Sequence, residues 1–315
     1  MIRWLCVSLC ELLLAAGVLG SPTSARADEE LDLVAVSLET DRLAEASFQE
    51  MVARERRMIE VATRVRRASA ELCHGAIAPI LGVQVMSTPG LPAAYITPAI
   101  RNFGVDDKLR VIWVLPGSPA ERAGLEPRDV ITSVDGFEIE DDQDLNNRRA
   151  ASGAKSLRFV IQRGDEKKVV DIPYEPGCYV QPMLGLSAWW NAYASRYQGR
   201  IVVFSELIRE VKNDDELAAV IGHELGHIVL GHDQSAPNAE QDADYFGLYL
   251  AARAGYDPKA GAEIWRRFSR TKPWDLTESE THPSAPQRAF AATRAIEEIA
   301  AKRAAGQPLR PEGLE

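Results

Sequence analysis

The run DDELAAVIGHELGHIVLGH, residues 214–232, constrains the fold of this chain more than any other stretch. Asp214, Asp215 and Glu216 at its start favour a helix N-terminus, where unpaired N–H groups carry partial positive charge. Leu217, Val220, Ile221, Leu225 and Ile228 recur at helical spacing and give that helix a buried face. His223 and His227 stand four apart. Four residues turn a helix through about 400°, so the two imidazoles project the same way and can share one metal ion.

Glu224 lies one step round the helix, placed to take a proton from a water beside that metal rather than to bind the metal itself. The pattern is H-E-x-x-H, a zinc-binding pair with a general base between its members. A catalytic zinc takes three protein ligands and keeps one position open, so a third ligand must lie elsewhere. His232 follows His227 by five residues, about 140° off the ligand face, and is rejected. A metzincin needs a histidine six residues after His227, where this chain has Asp233. The stretch AEQDADYFGLYLAARAG (239–255) reads as a second helix with Glu240, Asp242 and Asp244 near its start. Glu240 and Asp244 share a face. One can bind zinc while the other orients a ligand histidine through its free ring nitrogen.

A length of 315 residues suffices for two domains, and 46% hydrophobic with 26% charged residues describe a soluble globular protein. The formal charge of −10, with lysine and arginine scattered, argues against nucleic acid or anionic lipid as the main partner. Arg3 precedes an apolar run from Trp4 to Gly20, and Ala25-Arg26-Ala27 forms an A-x-A signature, so residues 1–27 read as a signal peptide cleaved before Asp28. The expectation is export, to the periplasm of a Gram-negative bacterium, with no stable membrane span after cleavage. The alternative is an uncleaved N-terminal anchor facing the same compartment, weakened by Glu11 inside the apolar run. Cleavage removes Cys6 and Cys10. Cys73 and Cys178 remain, and in an oxidising compartment a disulfide between them is expected.

Residues 28–78 form an N-terminal helical segment. Met51, Met58, Val65 and Leu72 fall at seven-residue spacing in one long helix expected over 41–72. From 79 to 175 the texture changes to short strands and turns: RVIWVL (110–115), a turn and short helix in PGSPAERAGL (116–125), DVITSVDG (129–136), a helix around 142–151, and a hairpin over 156–172 turning at Gly164-Asp165. Residues 176–315 are mostly helical, with one strand in RIVVFS (200–205).

The ordered set PGSPAERAGLEPRDVITSVDG, with Leu81-Gly82-Val83 upstream, resembles a PDZ domain of the bacterial protease-associated kind. The resemblance implies that Leu81, Gly82 and Val83 form a loop offering backbone N–H groups to a peptide or protein C-terminus, the peptide then adding as a strand. A long insert, roughly 86–108, departs from the family pattern and is a candidate cover for that groove.

The C-terminal part resembles the gluzincin zinc peptidases of the CAAX-prenyl-protease and HtpX type. EQDAD (240–244) resembles the family's E-x-x-A-D, which implies Glu240 as third ligand of a single Zn²⁺ and Asp244 as the partner of a ligand histidine. NAYA (191–194) followed by RIVVFSEL (200–207) resembles its edge strand beside the metal, which implies that an extended polypeptide substrate pairs along Arg200, Ile201, Val202, Val203, Phe204 and Ser205. THPSAPQR (281–288) resembles its histidine–proline motif, implying that His282 and Arg288 face the reaction centre: His282 for the developing oxyanion, Arg288 either beside it or paired with a carboxylate such as Asp244. The fold expected is α+β, a mainly helical zincin-type domain with a small edge-exposed sheet behind the PDZ-like domain. The function expected is zinc-dependent endopeptidase action on exported or misfolded envelope proteins. Two alternatives stand beside it: a PDZ-mediated binding or chaperone-like protein with a structural zinc site, and a latent peptidase with 233–239 or 86–108 as a lid.

Overall fold

Asp32 starts the first helix by accepting the backbone N–H groups of Val34 and Ala35 on one carboxylate oxygen, at 3.0 and 3.1 Å. Helix α1 (Leu33–Ala68) therefore begins before the expected residue 41, and a 3-10 turn at Ala70–Leu72 replaces its expected end. The computed structural model describes residues 32–73, 77–151, 155–232, 238–271, 276–277 and 283–313. The described residues 32–40 belong to one unit and Asp41–Glu315 form a second, compact one. The signal peptide expected over 1–27 lies outside the described residues. Among the described residues no helix is long and apolar enough to cross a membrane.

Within the second unit, short strand β1 (Ile77–Pro79) leads to β2 (Val83–Met86), and the insert carries helix α2 (Ala93–Phe103). Then follow β3 (Arg110–Val114), the short α3 (Pro119–Arg122), β4 (Val130–Val134), β5 (Phe137–Glu138), α4 (Asp142–Ala151), β6 (Ser156–Arg163) and β7 (Glu166–Pro173). These strands make one antiparallel sheet in the order β2-β3-β4-β6-β7, with β5 on β4. Its inner face holds Leu109, Val111, Ile131, Phe159, Ile161 and Ile172, and Leu145 of α4 closes over it. The period-two pattern of β6 explains this, with Leu157, Phe159 and Ile161 buried and Ser156 and Arg158 exposed.

The insert does not extend over that inner face but packs against α1: Ala99 and Val105 share a cluster with Phe48, Met51, Ile112 and Trp113. Tyr95 stacks edge-on against Phe48, ring centroids 5.6 Å apart.

Strand β8 (Pro176–Cys178) returns to pair with β1, and Cys178 is joined to Cys73 by the expected disulfide, Cα atoms 5.6 Å apart. A second sheet contains β9 (Gln181–Gly185), β10 (Ala192–Ser195) and β11 (Arg200–Phe204), in the order β10-β11-β9. This corrects the expectation that 200–205 is the edge strand. Arg200–Phe204 runs between two neighbours, antiparallel to β10 and parallel to β9, and Ser205 already belongs to the next helix. The physical reason lies in its composition: Ile201, Val202 and Val203 are all buried, as in a strand covered on both faces. The open edges belong to β10 and β9. Helices α5 (Ser205–Glu210), α6 (Asp214–Val229), α7 (Ala239–Arg253), α8 (Lys259–Thr271) and α9 (Ala285–Ala304) follow, and the mixture of helices with antiparallel strands is consistent with an α+β fold.

Candidate metal centre

Helix α6 starts at Asn213, whose side chain accepts the N–H of Glu216 at 3.0 Å. From there the helix is buried almost throughout, and its partner α7 comes unusually close. A side-chain carbon on Gly222 would meet the Gly247 carbonyl oxygen at 2.5 Å, and one on Gly247 would meet His223 N at 2.5 Å. Backbone thus lies on backbone at the level of the first histidine, and the start of α7 is carried beside the ligand face of α6.

His223 Nε2 and His227 Nε2 are 3.1 Å apart. Glu240 Oε2 lies 3.5 Å from His223 Nε2, and Glu240 Oε1 lies 3.5 Å from His227 Nε2. Zinc with ligands at roughly 2.0–2.1 Å in a tetrahedron needs donor atoms about 3.3–3.4 Å apart. The two nitrogens at 3.1 Å and a carboxylate that brings one oxygen to within 3.5 Å of each come close to that requirement, and His223, His227 and Glu240, each offering one ligand atom within 4.8 Å of the others, are a group that could hold a metal ion. Two imidazoles and one carboxylate suit zinc better than calcium or magnesium, which prefer oxygen throughout.

The other nitrogens of the two rings are engaged. Asp244, one turn beyond Glu240 on α7, sits with Oδ1 2.9 Å from His223 Nδ1. It is gripped from behind by Arg288 of α9, Nε on Oδ2 at 2.6 Å and Nη2 on Oδ1 at 2.7 Å. The guanidinium of Arg288 lies 3.4 Å from the centre of the Trp265 ring of α8. His227 Nδ1 is 3.0 Å from His232 Nδ1. A lone pair on His227 Nε2 requires the proton on Nδ1, which then donates to His232.

These contacts set the charges. Burial favours neutral His223, but the hydrogen bond and charge of Asp244 outweigh it and hold its pKa above the usual histidine value. His227 goes the other way: burial, then the neighbouring His223 and His232, bring it down to about 3. Burial would raise Asp244, yet the Arg288 guanidinium keeps it well below the usual carboxylate range. Glu224 is 7% exposed, and burial pushes its carboxyl up to about 7, with the backbone N–H of Ala194 on edge strand β10 as a hydrogen-bonding partner.

Of the residues singled out in the sequence, His223, His227, Glu224, Glu240, Asp244 and Arg288 come together. Arg288 pairs with Asp244, one of the two placements left open for it. His282 and residues 233–237 of the suggested lid lie outside the described residues. Val83 begins β2 of the other sheet, and Leu81 and Gly82 lie in the loop just before it. Gly82 has φ +73°, and a side-chain carbon there would meet Ser118 Cβ at 2.2 Å, so only glycine fits. Three contributors were not anticipated: His232 against His227, Trp265 under Arg288, and Ala194 on Glu224.

Two family comparisons bear on this arrangement. Residues 156–236 match the profile of peptidase family M48, a stretch that includes the H-E-x-x-H helix, and residues 110–163 match the PDZ domain profile. The chain carries a peptidase family M48 domain and a PDZ domain. The M48 match ends before Glu240, and the PDZ match begins after Leu81-Gly82-Val83, so the geometry above extends both. Among curated relatives, the mitochondrial metalloendopeptidase OMA1 of Arabidopsis thaliana is 30% identical over 127 residues, 29% of this chain and 26% of its own. The putative serine protease HhoA of a Synechocystis strain is 36% identical over 101 residues, 28% of this chain and 24% of its own. The chain thus spans about a quarter of the length of these relatives. Among solved structures, the HtrA3 PDZ domain bound to a phage-derived ligand superposes with a TM-score of 0.26 and 20% identity, over 32% of this chain and 88% of that one.

Proposed function

We propose that this chain is a zinc-dependent endopeptidase of exported polypeptides, with residues 176–315 as the peptidase domain, 79–175 as a PDZ domain and 28–78 as a helical segment ahead of them. The observation that carries the reading is the cluster of His223 Nε2, His227 Nε2 and a Glu240 carboxylate at 3.1–3.5 Å spacing, with a buried glutamate beside it on the same helix. Zinc held by His223, His227 and Glu240 supplies Lewis acidity to a peptide carbonyl and to the attacking water.

The chain's own groups do the rest. Glu224, its carboxyl pushed up to about 7 by burial, is matched to accept a proton from water near neutrality and to return it to the departing amine. Asp244 keeps the proton of His223 on Nδ1 and its lone pair on Nε2, and Arg288 keeps Asp244 ionised. Strand β10 offers its outer edge to an extended segment, and the Ala194 N–H that reaches Glu224 points to that side. His282 is assigned to oxyanion stabilisation on the family resemblance.

Leu81 and Gly82 support the companion role of the PDZ domain. Their carbonyls accept from Ala120 and Leu115, while among the described residues neither N–H donates, leaving both for a peptide carboxylate. Export to the periplasm accords with the disulfide. The test is Glu224→Gln in the full chain. Casein cleavage is expected to fall about 10²–10⁴-fold with one zinc still bound per chain; undiminished cleavage overturns the assignment of the base.

A further inference from the structure

Away from the metal centre, a second group of buried polar atoms lies where α1, the β1–β8 ladder and the end of α4 meet. Arg66 is 4% exposed and Ser69 fully buried. Arg66 Nε donates to the Cys178 carbonyl at 2.9 Å. Arg149 donates through Nη2 to the Pro79 carbonyl at 3.2 Å and through Nη1 to Asn146 Oδ1 at 2.9 Å. Arg66 Nη2, Ser69 Oγ and Arg149 Nε are buried without a hydrogen-bond partner among the described residues.

Among the described residues a carboxylate counter-charge is missing as well. Burial, then the charge of Arg149, lowers Arg66 to about 9, and burial lowers Arg149 to about 10; no carboxylate acts on either. The contrast with the chain's other buried arginine is plain, since Arg288 is paired to Asp244 at two points. A guanidinium stays charged at neutral pH, and taking such a charge out of water is strongly unfavourable unless an anion accompanies it. Two neighbouring guanidiniums and a hydroxyl, each with an unused buried donor, form the donor set that recognises carboxylate, sulfate or phosphate oxygens.

We propose that Arg66, Ser69 and Arg149 form a binding site for a small oxyanion, distinct from the metal centre. The site holds the Pro79 carbonyl, just before the Leu81-Gly82-Val83 loop, and the Cys178 carbonyl, beside the disulfide and just before β9. An anion there neutralises both guanidiniums and braces the junction between the PDZ sheet and the strands leading into the peptidase domain.

The experiment is thermal unfolding of the full chain at constant ionic strength, with chloride replaced stepwise by acetate, sulfate or inorganic phosphate. At least one oxyanion is expected to raise the midpoint by several degrees with saturation, as a specific ligand does and ionic strength does not. Arg66→Met and Arg149→Met are each expected to lose that rise while melting no lower than wild type in chloride, because each removes an uncompensated buried charge at similar volume. Equal midpoints for wild type in all four salts overturn the proposal. So does a rise that survives in both variants, which would place the anion at the metal centre or elsewhere. Equilibrium dialysis of the most stabilising anion against wild type needs no variant; one equivalent per chain supports the site, and none removes it.

Discussion

Arg288 holds Asp244 by two parallel hydrogen bonds, Nε to Oδ2 at 2.6 Å and Nη2 to Oδ1 at 2.7 Å, and both residues are more than nine-tenths buried. The pair stands between helices α9 and α7, and its carboxylate also reaches His223 Nδ1. Fold stability and the orientation of one imidazole are therefore carried by the same two side chains.

Asp244→Asn retains the shape and leaves Arg288 charged and unpaired. Loss of one partner of a buried ion pair costs about 3–5 kcal/mol, which urea unfolding would read. Chelator competition should show zinc affinity lower by about 10–100-fold, the usual cost of losing a ligand's hydrogen-bonding partner. The pH dependence has a defined sign. The folded-state pKa of Asp244 is depressed, so its contribution is present above the unfolded value of 3.8 and drains away as pH falls through and below it. The variant should lack that acid-side decline.

Glu224 carries the opposite sign. Its folded-state value of about 7 exceeds the unfolded 4.5, so between those values the metal-free protein binds a proton that the unfolded chain releases. Below 4.5 the residue is neutral in both states; between 4.5 and 7 it costs stability progressively as pH rises. Metal-free Glu224→Gln should match wild type near pH 4 and exceed it by roughly 3–3.5 kcal/mol near pH 8, at about 1.4 kcal/mol for each unit of pKa between 4.5 and about 7. A difference independent of pH would show that the buried carboxylate is not the cause.

The close approach of α6 and α7 can be tested at Gly247. A methyl there meets His223 N at 2.5 Å and must separate the helices. Gly247→Ala is expected to destabilise the fold by about 1–3 kcal/mol and weaken zinc binding at least tenfold, whereas Gly90→Ala, where nothing lies within 4 Å, should leave zinc binding unchanged.

Reduction of Cys73–Cys178, which spans 105 residues of sequence, releases a long loop in the unfolded chain. The chain-entropy model gives about 4.7 kcal/mol for a loop near 100 residues. Cys73→Ser with Cys178→Ser should lower the unfolding free energy by about 2–5 kcal/mol and make it insensitive to dithiothreitol.

Much of this site was readable because its chemistry is local. His223, Glu224 and His227 lie within one helical turn and a half, and Glu240 and Asp244 repeat the same spacing on the next helix. What escaped depends on contacts between distant helices. Trp265 reads only as an apolar position of an amphipathic helix; nothing in its own neighbourhood says that Arg288 will lie across it. His232 was excluded as a ligand from helical geometry, and it fills instead the other side of His227, beyond the helix end, where helical angles no longer apply. The mistaken edge at 200–205 had a visible warning, since Ile201-Val202-Val203 is apolar without alternation; NAYA, quoted beside it, holds most of the strand with the open edge but is too short and mixed to be preferred on its own. Arg66 and Arg149 look like ordinary surface arginines until β1 and β8 close over them.

Helix α1 gives Phe48 and Met51 to one core, beside Ile112 and Trp113, and Met58, Val61, Ala62 and Val65 to another, beside Leu217 and Ile221. From Phe48 to Val65 is about 25 Å of continuous helix at 1.5 Å per residue. Neither core is complete without its share of that one helix, so the PDZ sheet and the helical half are not interchangeable cassettes. A recombination that lifted out residues 79–175 alone would strip away the floor beneath Trp113, and each half can change its packing only in step with the other.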